Sequence, residues 1–171
     1  MTSELFTAED RARLNRLTDE AELRAMLADV AARIDWLDWP GLAALFWPDA
    51  QFDFGMFKGD LAAYLEFVRT LEEGYRRRMH LFGMPTIRID GARARLDAPS
   101  IIVCRTDNGG GGIEDVFTGR YVLSAERRGT EWRFASLDYL MNSIDRWDRE
   151  TDDRTAPMNF FEGFGPDHPL A

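Results

Sequence analysis

The feature that most constrains this chain is a change of hydrophobic period near residue 78. Up to about Arg76, apolar residues recur every three or four positions, as in helices that bury one side. From Arg78 onward they alternate, as in strands with one covered face. Hairpin signals separate the alternating runs at Asp90-Gly91, Gly109 to Gly112 and Arg128-Gly129. Helices first and a meander of strands afterwards predict an α+β fold. A twisted antiparallel sheet of this kind curls around the helices and leaves a natural pocket between the two layers.

The helical half reads as four pieces. Thr7 to Asn15 is a short leading helix capped by Thr7, with acids in its first turn. A longer helix is expected from about Asp19 to Asp38. Thr18 or Asp19 would cap it, and Glu22 completes a capping box. Leu23, Leu27, Val30, Ile34 and Leu37 form its apolar stripe. A short helix follows Pro40, with Leu42, Leu45 and Phe46 on its apolar side. Pro48-Asp49 marks a turn, and Gln51 to Phe57 a short strand. Asp60 to Arg76 then forms a helix with Leu61, Tyr64, Leu65, Val68 and Leu71 on one face. The strands are expected at Arg78 to Asp90, Arg93 to Thr106, Ile113 to Glu126 and Trp132 to Ile144. Residues 146–171 read as a tail rich in Asp, Pro and Gly, with Phe160, Phe161 and Phe164 available to cover the pocket or a neighbouring subunit. The 171 residues fit one domain, with no repeat and no long linker.

Charge and cysteine content narrow the partners. The net charge of −9 and the single lysine, Lys58, argue against nucleic acid, whose phosphates require clustered cations. The run Arg76-Arg77-Arg78 is too short to hold a polyanion. One cysteine, Cys104, permits no internal disulfide and suits a reducing compartment. No apolar run reaches the length of a membrane span, and the first residues do not read as a secretion signal. The expectation is a cytoplasmic protein with neither membrane nor nucleic-acid partners.

Histidine is scarce: only His80 and His168. Alternation places Arg78, His80 and Phe82 on one face of the first long strand. Histidine exchanges protons near neutral pH, so one set among apolar neighbours is a candidate acid–base group. The competing reading is a packed histidine bonded to backbone. His168 sits in the Pro-rich tail and reads as solvated. Two acids, Asp35 and Asp38, stand near the end of the long helix. At about 100° per residue they lie roughly 120° and 60° from the centre of its apolar stripe, so geometry leaves both open as partners of His80. Two distant histidines and one cysteine do not make a metal site. Cys104, within an apolar strand, lacks an activating partner. The glycine run Gly109 to Gly112 lacks the Lys-Ser or Lys-Thr of a phosphate loop. Asp145, Asp148, Glu150, Asp152 and Asp153 read as a solvated face.

The stretch from Ile34 to Ala50 resembles the SnoaL-like, scytalone dehydratase-like families of the nuclear-transport-factor-like superfamily. It has their acid at the end of a long helix, a short helix through Leu42, Leu45 and Phe46, and Pro48-Asp49-Ala50 leading into a strand. Gly55 to Gly59, Met79-His80, Ile89 to Ala94 and Gly129 to Phe134 continue the likeness across about residues 18–145. The resemblance implies a cone-shaped sheet around the N-terminal helices and chemistry without metal or organic cofactor. It also implies a small hydrophobic substrate, aromatic or polycyclic, and assembly as a homodimer or homotrimer. In the dehydrochlorinase-like and bile-acid-dehydratase-like members a helix-end Asp pairs with a strand His. The matching positions are Asp35, fourteen residues before Asp49, and His80. Resemblance, not helix geometry, selects Asp35.

The departures are equally specific. Val30 stands where the bile-acid dehydratases carry a Tyr, and Leu137 near where the dehydrochlorinase carries an Arg. Arg78, Tyr64, Tyr139 and Asn142 are the candidates to contact substrate or leaving group in their place. The implied reaction is a lyase elimination, with loss of water, halide or formaldehyde. His80 would act as base and Asp35 would hold its ring. Two other classes share the fold: isomerases or cyclases, and non-catalytic small subunits of ring-hydroxylating oxygenases.

Overall fold

The computed structural model describes residues 6–107 and 111–150. Phe160, Phe161, Phe164 and His168 lie outside these residues. The first element is one helix where two are expected, α1 from Ala8 to Asp35. Thr7 caps it, with Asp10 closing the capping box. Thr18 and Asp19 do not interrupt it. The Thr18 hydroxyl donates back to the Leu14 carbonyl at 3.0 Å, and Glu20 bonds both Arg16 and Arg24 one turn away. No Gly or Pro lies between Ala8 and Asp35, so no residue forces a break. The stripe Leu23, Leu27, Val30 and Ile34 is buried as expected.

Helix α2 spans Trp39–Ala44 and leads into β1, Phe46–Asp53. Pro48 and Asp49 therefore lie inside a strand, not at a turn. The β1 register on its neighbour shifts between Phe46 and Gln51, and this irregular stretch accommodates the proline. β2 (Lys58–Asp60) pairs with β1, and α3 follows over Leu61–Glu73, capped by Asp60. The first expected long strand is two, β3 (Arg77–Phe82) and β4 (Thr86–Asp90). Gly83 and Pro85 lie between them, and both strands pair with different stretches of β5 (Arg93–Asp107). β6 (Gly111–Arg128) and β7 (Glu131–Glu150) complete the meander, so residues 146–150 belong to a strand and not to a tail.

The sheet order is β2-β1-β7-β6-β5-β3, with β4 also on β5. All pairs are antiparallel except β1 with β7. A strand of 18 residues, such as β6, would extend roughly 60 Å if straight. Register shifts at Thr118/Gly119 and Ser124/Ala125 fall where the ladder of β6 and β7 bends. The sheet curves around the helices without closing, the cone expected from the family resemblance. Its inner face is built from every second residue of β5: Ala94, Leu96, Ala98, Ile102 and Cys104 are all buried there. Phe46, Leu123, Phe134 and Leu137 join the α1 stripe in the same core. Among the described residues no helix is long and apolar enough to cross a membrane.

Candidate active site

The turn after α1 separates the two acids that helix geometry leaves open. The Asp38 N–H donates to the Arg33 carbonyl at 2.8 Å and the Leu37 N–H to the Ile34 carbonyl at 3.0 Å. Leu37 adopts φ 57°, the left-handed conformation that ends a helix in this way. Asp38 is thereby turned onto α2, where it accepts the Gly41 N–H at 2.9 Å and pairs with Arg33. Asp35, still helical, reaches β3.

β3 ends the sheet, so its outward N–H groups have no strand partner. Asp35 takes one of them. The His80 backbone N–H donates to both Asp35 oxygens at 3.1 and 3.0 Å, and His80 Nδ1 lies 2.8 Å from Oδ1. Asp35 and His80 are 9% and 8% exposed, so the pair is shielded from water. An ionised carboxylate only accepts, so Nδ1 is the donor of this bond and Nε2 is the ring nitrogen left to face other groups. Alternation along β3 holds as expected, with Arg78 and His80 buried and Met79 and Leu81 exposed.

A third acid completes the cluster. Glu72, in the last turn of α3, is 4% exposed, and its Oε1 lies 4.0 Å from His80 Nε2. Its Oε2 lies 3.4 Å from Arg78 Nε, an ion pair without hydrogen-bond alignment. Arg78 donates to the carbonyls of Glu72 and Tyr75, at 2.7 and 2.5 Å, and so satisfies the end of α3. Burial pushes the Glu72 carboxyl above its ordinary value, and Asp35 adds to the rise; the charges of His80 and Arg78 oppose it. Sequence reasoning missed Glu72, although a signal was available. It lies four residues after Val68 and eight after Tyr64, in line with an apolar stripe where a carboxylate is out of place.

Beside this cluster lies a cavity of about 160 Å³. His80 and Glu72 line it, and Phe54, Phe67, Tyr64, Tyr121 and Tyr139 form most of its aromatic wall. Tyr64 stacks on Phe52 at 3.9 Å between ring centres, and Tyr121 meets Tyr139 at 5.1 Å. The hydroxyls of Tyr64 and Tyr139 and the Oε2 of Glu72 are buried without a hydrogen-bond partner among the described residues. Burial raises the Tyr64 and Tyr139 phenols, so both are neutral donors at neutral pH, although Ser100 next to Tyr139 partly offsets the rise. Orphaned polar atoms on an apolar cavity are the groups a ligand would satisfy. Gly119 makes room for one of them. A Cβ there would sit 2.7 Å from the Tyr139 hydroxyl and 2.5 Å from the Leu140 carbonyl.

The structure brings Tyr64 and Tyr139 to the cavity but not every candidate. Arg78 stands behind Glu72 and is not among the lining residues. Asn142 is exposed and donates to Thr118 Oγ1 at 3.1 Å. Gly119 pairs with Met141 and Thr118 with Ser143, so Asn142 is the extra residue of a bulge and is displaced outward. Val30 and Leu137, where relatives carry polar groups, are fully buried in the core. Burial pushes the Cys104 thiol far above its ordinary value, so it stays protonated on the cavity wall. No group of three or more His, Cys, Asp or Glu among the described residues has the geometry to hold a metal ion.

The curved, unclosed sheet over helices leaves a cavity lined by His80 and Glu72. The chain belongs to the SnoaL-like domain family, whose model matches residues 15–138. Among solved structures it is similar to the hexachlorocyclohexane dehydrochlorinase LinA-type3 from Novosphingobium barchaimii LL02. That match has a TM-score of 0.71 and 19% identity, over 79% of this chain and 94% of that one. It is also similar to a protein provisionally described as a scytalone dehydratase from Novosphingobium aromaticivorans (TM-score 0.69, 16% identity, 77% and 89% covered). A third likeness is to a nuclear transport factor 2-like superfamily protein from Salmonella enterica serovar Typhimurium (TM-score 0.67, 20% identity, 75% and 94% covered). At these identities the likeness is one of fold. No curated protein sequence matches the chain significantly.

Proposed function

We propose that this protein is a lyase that removes a proton from a small aromatic substrate with its own side chains and expels a small group. One observation carries this reading. His80 is locked through Nδ1 onto a buried carboxylate, and its ring forms part of the cavity wall. In this reading Nε2 is the base, and Asp35 is a positioning residue that holds the tautomer and stabilises the imidazolium once formed. The family and the two neighbours named for eliminations, a dehydrochlorinase and a dehydratase, support it. The cavity, about 160 Å³ with an aromatic wall, suits the aromatic part of such a substrate.

The test is turnover of two probes with one product. β-Hydroxypropiophenone loses water and β-chloropropiophenone loses hydrogen chloride, and both give phenyl vinyl ketone. His80→Gln should slow both by at least about 10²-fold, with unchanged circular dichroism. A near-wild-type rate in that variant overturns the base assignment. A product of the same mass as its substrate would instead make the protein an isomerase.

A further inference from the structure

Glu72 is the one buried carboxylate on the cavity that the elimination as described leaves without a task. We propose that Glu72 is the proton donor of the site: a carboxylic acid that protonates the departing group and is then recharged by His80. This rests on the reading of His80 as base and extends it to the second half of the reaction.

The geometry supports it in three ways. Glu72 lines the same cavity as His80, so both reach a substrate held there. Its Oε1 lies 4.0 Å from His80 Nε2, so a side-chain shift of about 1 Å, or one bridging water, lets a proton pass once the product has left. Its Oε2 has no hydrogen-bond partner within the described chain. The charge balance agrees. The cluster holds one permanent cation, Arg78, and two carboxylates, Asp35 and Glu72, all buried. These are also the charged groups that act on Glu72, together with His80. With both carboxylates ionised and His80 neutral, the cluster would carry a net negative charge out of water, which is costly. One proton restores neutrality. Asp35 already accepts from His80 twice over, so that proton belongs to Glu72 or to His80 Nε2. If His80 is to act as base, it starts on Glu72.

The step then balances. Nε2 takes the substrate's C–H proton, and the C–H electron pair forms the new C=C bond. The bond to the departing oxygen breaks with its pair on oxygen, which receives the Glu72 proton and leaves as water. The site is left as imidazolium and carboxylate with the same total charge. Transfer of the proton from Nε2 to Oε1 resets it. No oxidant, metal or second substrate is consumed.

Infrared difference spectra at neutral pH test the resting state without any substrate. The wild type and His80→Gln should show the carbonyl stretch of a protonated carboxyl group that Glu72→Gln lacks. Its absence from the wild type, or its persistence in Glu72→Gln, overturns the proposal. The two propiophenone probes test the chemistry. Glu72→Gln should slow loss of water by about 10²- to 10³-fold but loss of chloride, which departs unprotonated, by no more than about threefold. Equal slowing of both makes Glu72 a positioning residue and overturns the donor assignment. Unimpaired elimination in His80→Gln would instead defeat the base reading, so the two failures are distinct. If Glu72→Gln fails to fold, Glu72→Met, which fills similar volume without a polar group, carries the same measurements. If neither probe is turned over, the infrared result decides.

Discussion

Asp19 and Asp35 lie on the same helix, are each 9% exposed, and each reaches across to the sheet. Around Asp19 the polar groups are satisfied. Its Oδ1 accepts from Trp132 Nε1 at 2.9 Å and from Arg127 at 2.8 Å, and the Arg127 guanidinium covers the Trp132 ring at 5.0 Å. The result is a staple between α1 and the β6–β7 hairpin. Around Asp35 the neighbours are left short. Glu72 Oε2 and two nitrogens of Arg78 lack hydrogen-bond partners, and the Tyr64 hydroxyl across the cavity does too. A buried charge with every partner in place holds a fold together, whereas a cluster with bonds to spare beside a cavity is equipped to act on something else.

Several variants separate the two ends. The largest effect is expected at the unsatisfied one. Asp35→Asn should reduce elimination by about 10²- to 10⁴-fold by releasing the tautomer of His80. Asp38→Asn should leave the rate within a few-fold, since Asp38 caps α2 and does not touch His80. The reverse ranking, measured on the same probes, would move the positioning role to Asp38. The satisfied end should behave oppositely. Asp19→Ala strands the buried Trp132 N–H and should cost about 2–3 kcal/mol, or roughly 5–10 °C in melting temperature, with the rate at 25 °C unchanged. An activity loss without destabilisation would break the comparison.

The smallest effect is in the pH dependence of stability. The Glu72 carboxyl is raised in the folded protein from its ordinary value of 4.5. The folded state therefore holds that proton more tightly than the unfolded chain. This contribution is fully present below pH 4.5 and is lost as pH rises through the folded value. Denaturant melts should show wild-type stability falling relative to Glu72→Gln over that interval. A difference that stays flat, or rises with pH, would mean that the carboxyl is not raised.

Much of this was legible in the chain. The inward face of β3, the apolar stripe of α1 and the hairpins at Gly91 and Gly129, both at positive φ, follow from consecutive residues. The division of β3 from β4 was missed because Gly83 and Pro85 sit in an otherwise strand-like run. The continuity of α1 was missed because Thr18-Asp19 imitates a cap. There Asp19 serves a tertiary bond to Trp132 instead. Asn142 lies off the cavity as the extra residue of a bulge, and a bulge is set by the partner strand.

By itself, then, the sequence determined the order of elements, their buried faces and the place of His80 on the inward face of β3. Periodicity and rarity are properties of neighbours along the chain. The tertiary structure alone decided which acids meet that histidine. Asp35 and Asp38 are equivalent until Leu37 turns the chain and sends one to β3 and the other to α2. Glu72 is one more residue on a helix until the curved sheet brings His80 and Arg78 against it, and only that packing removes the water that would otherwise keep it an ordinary carboxylate.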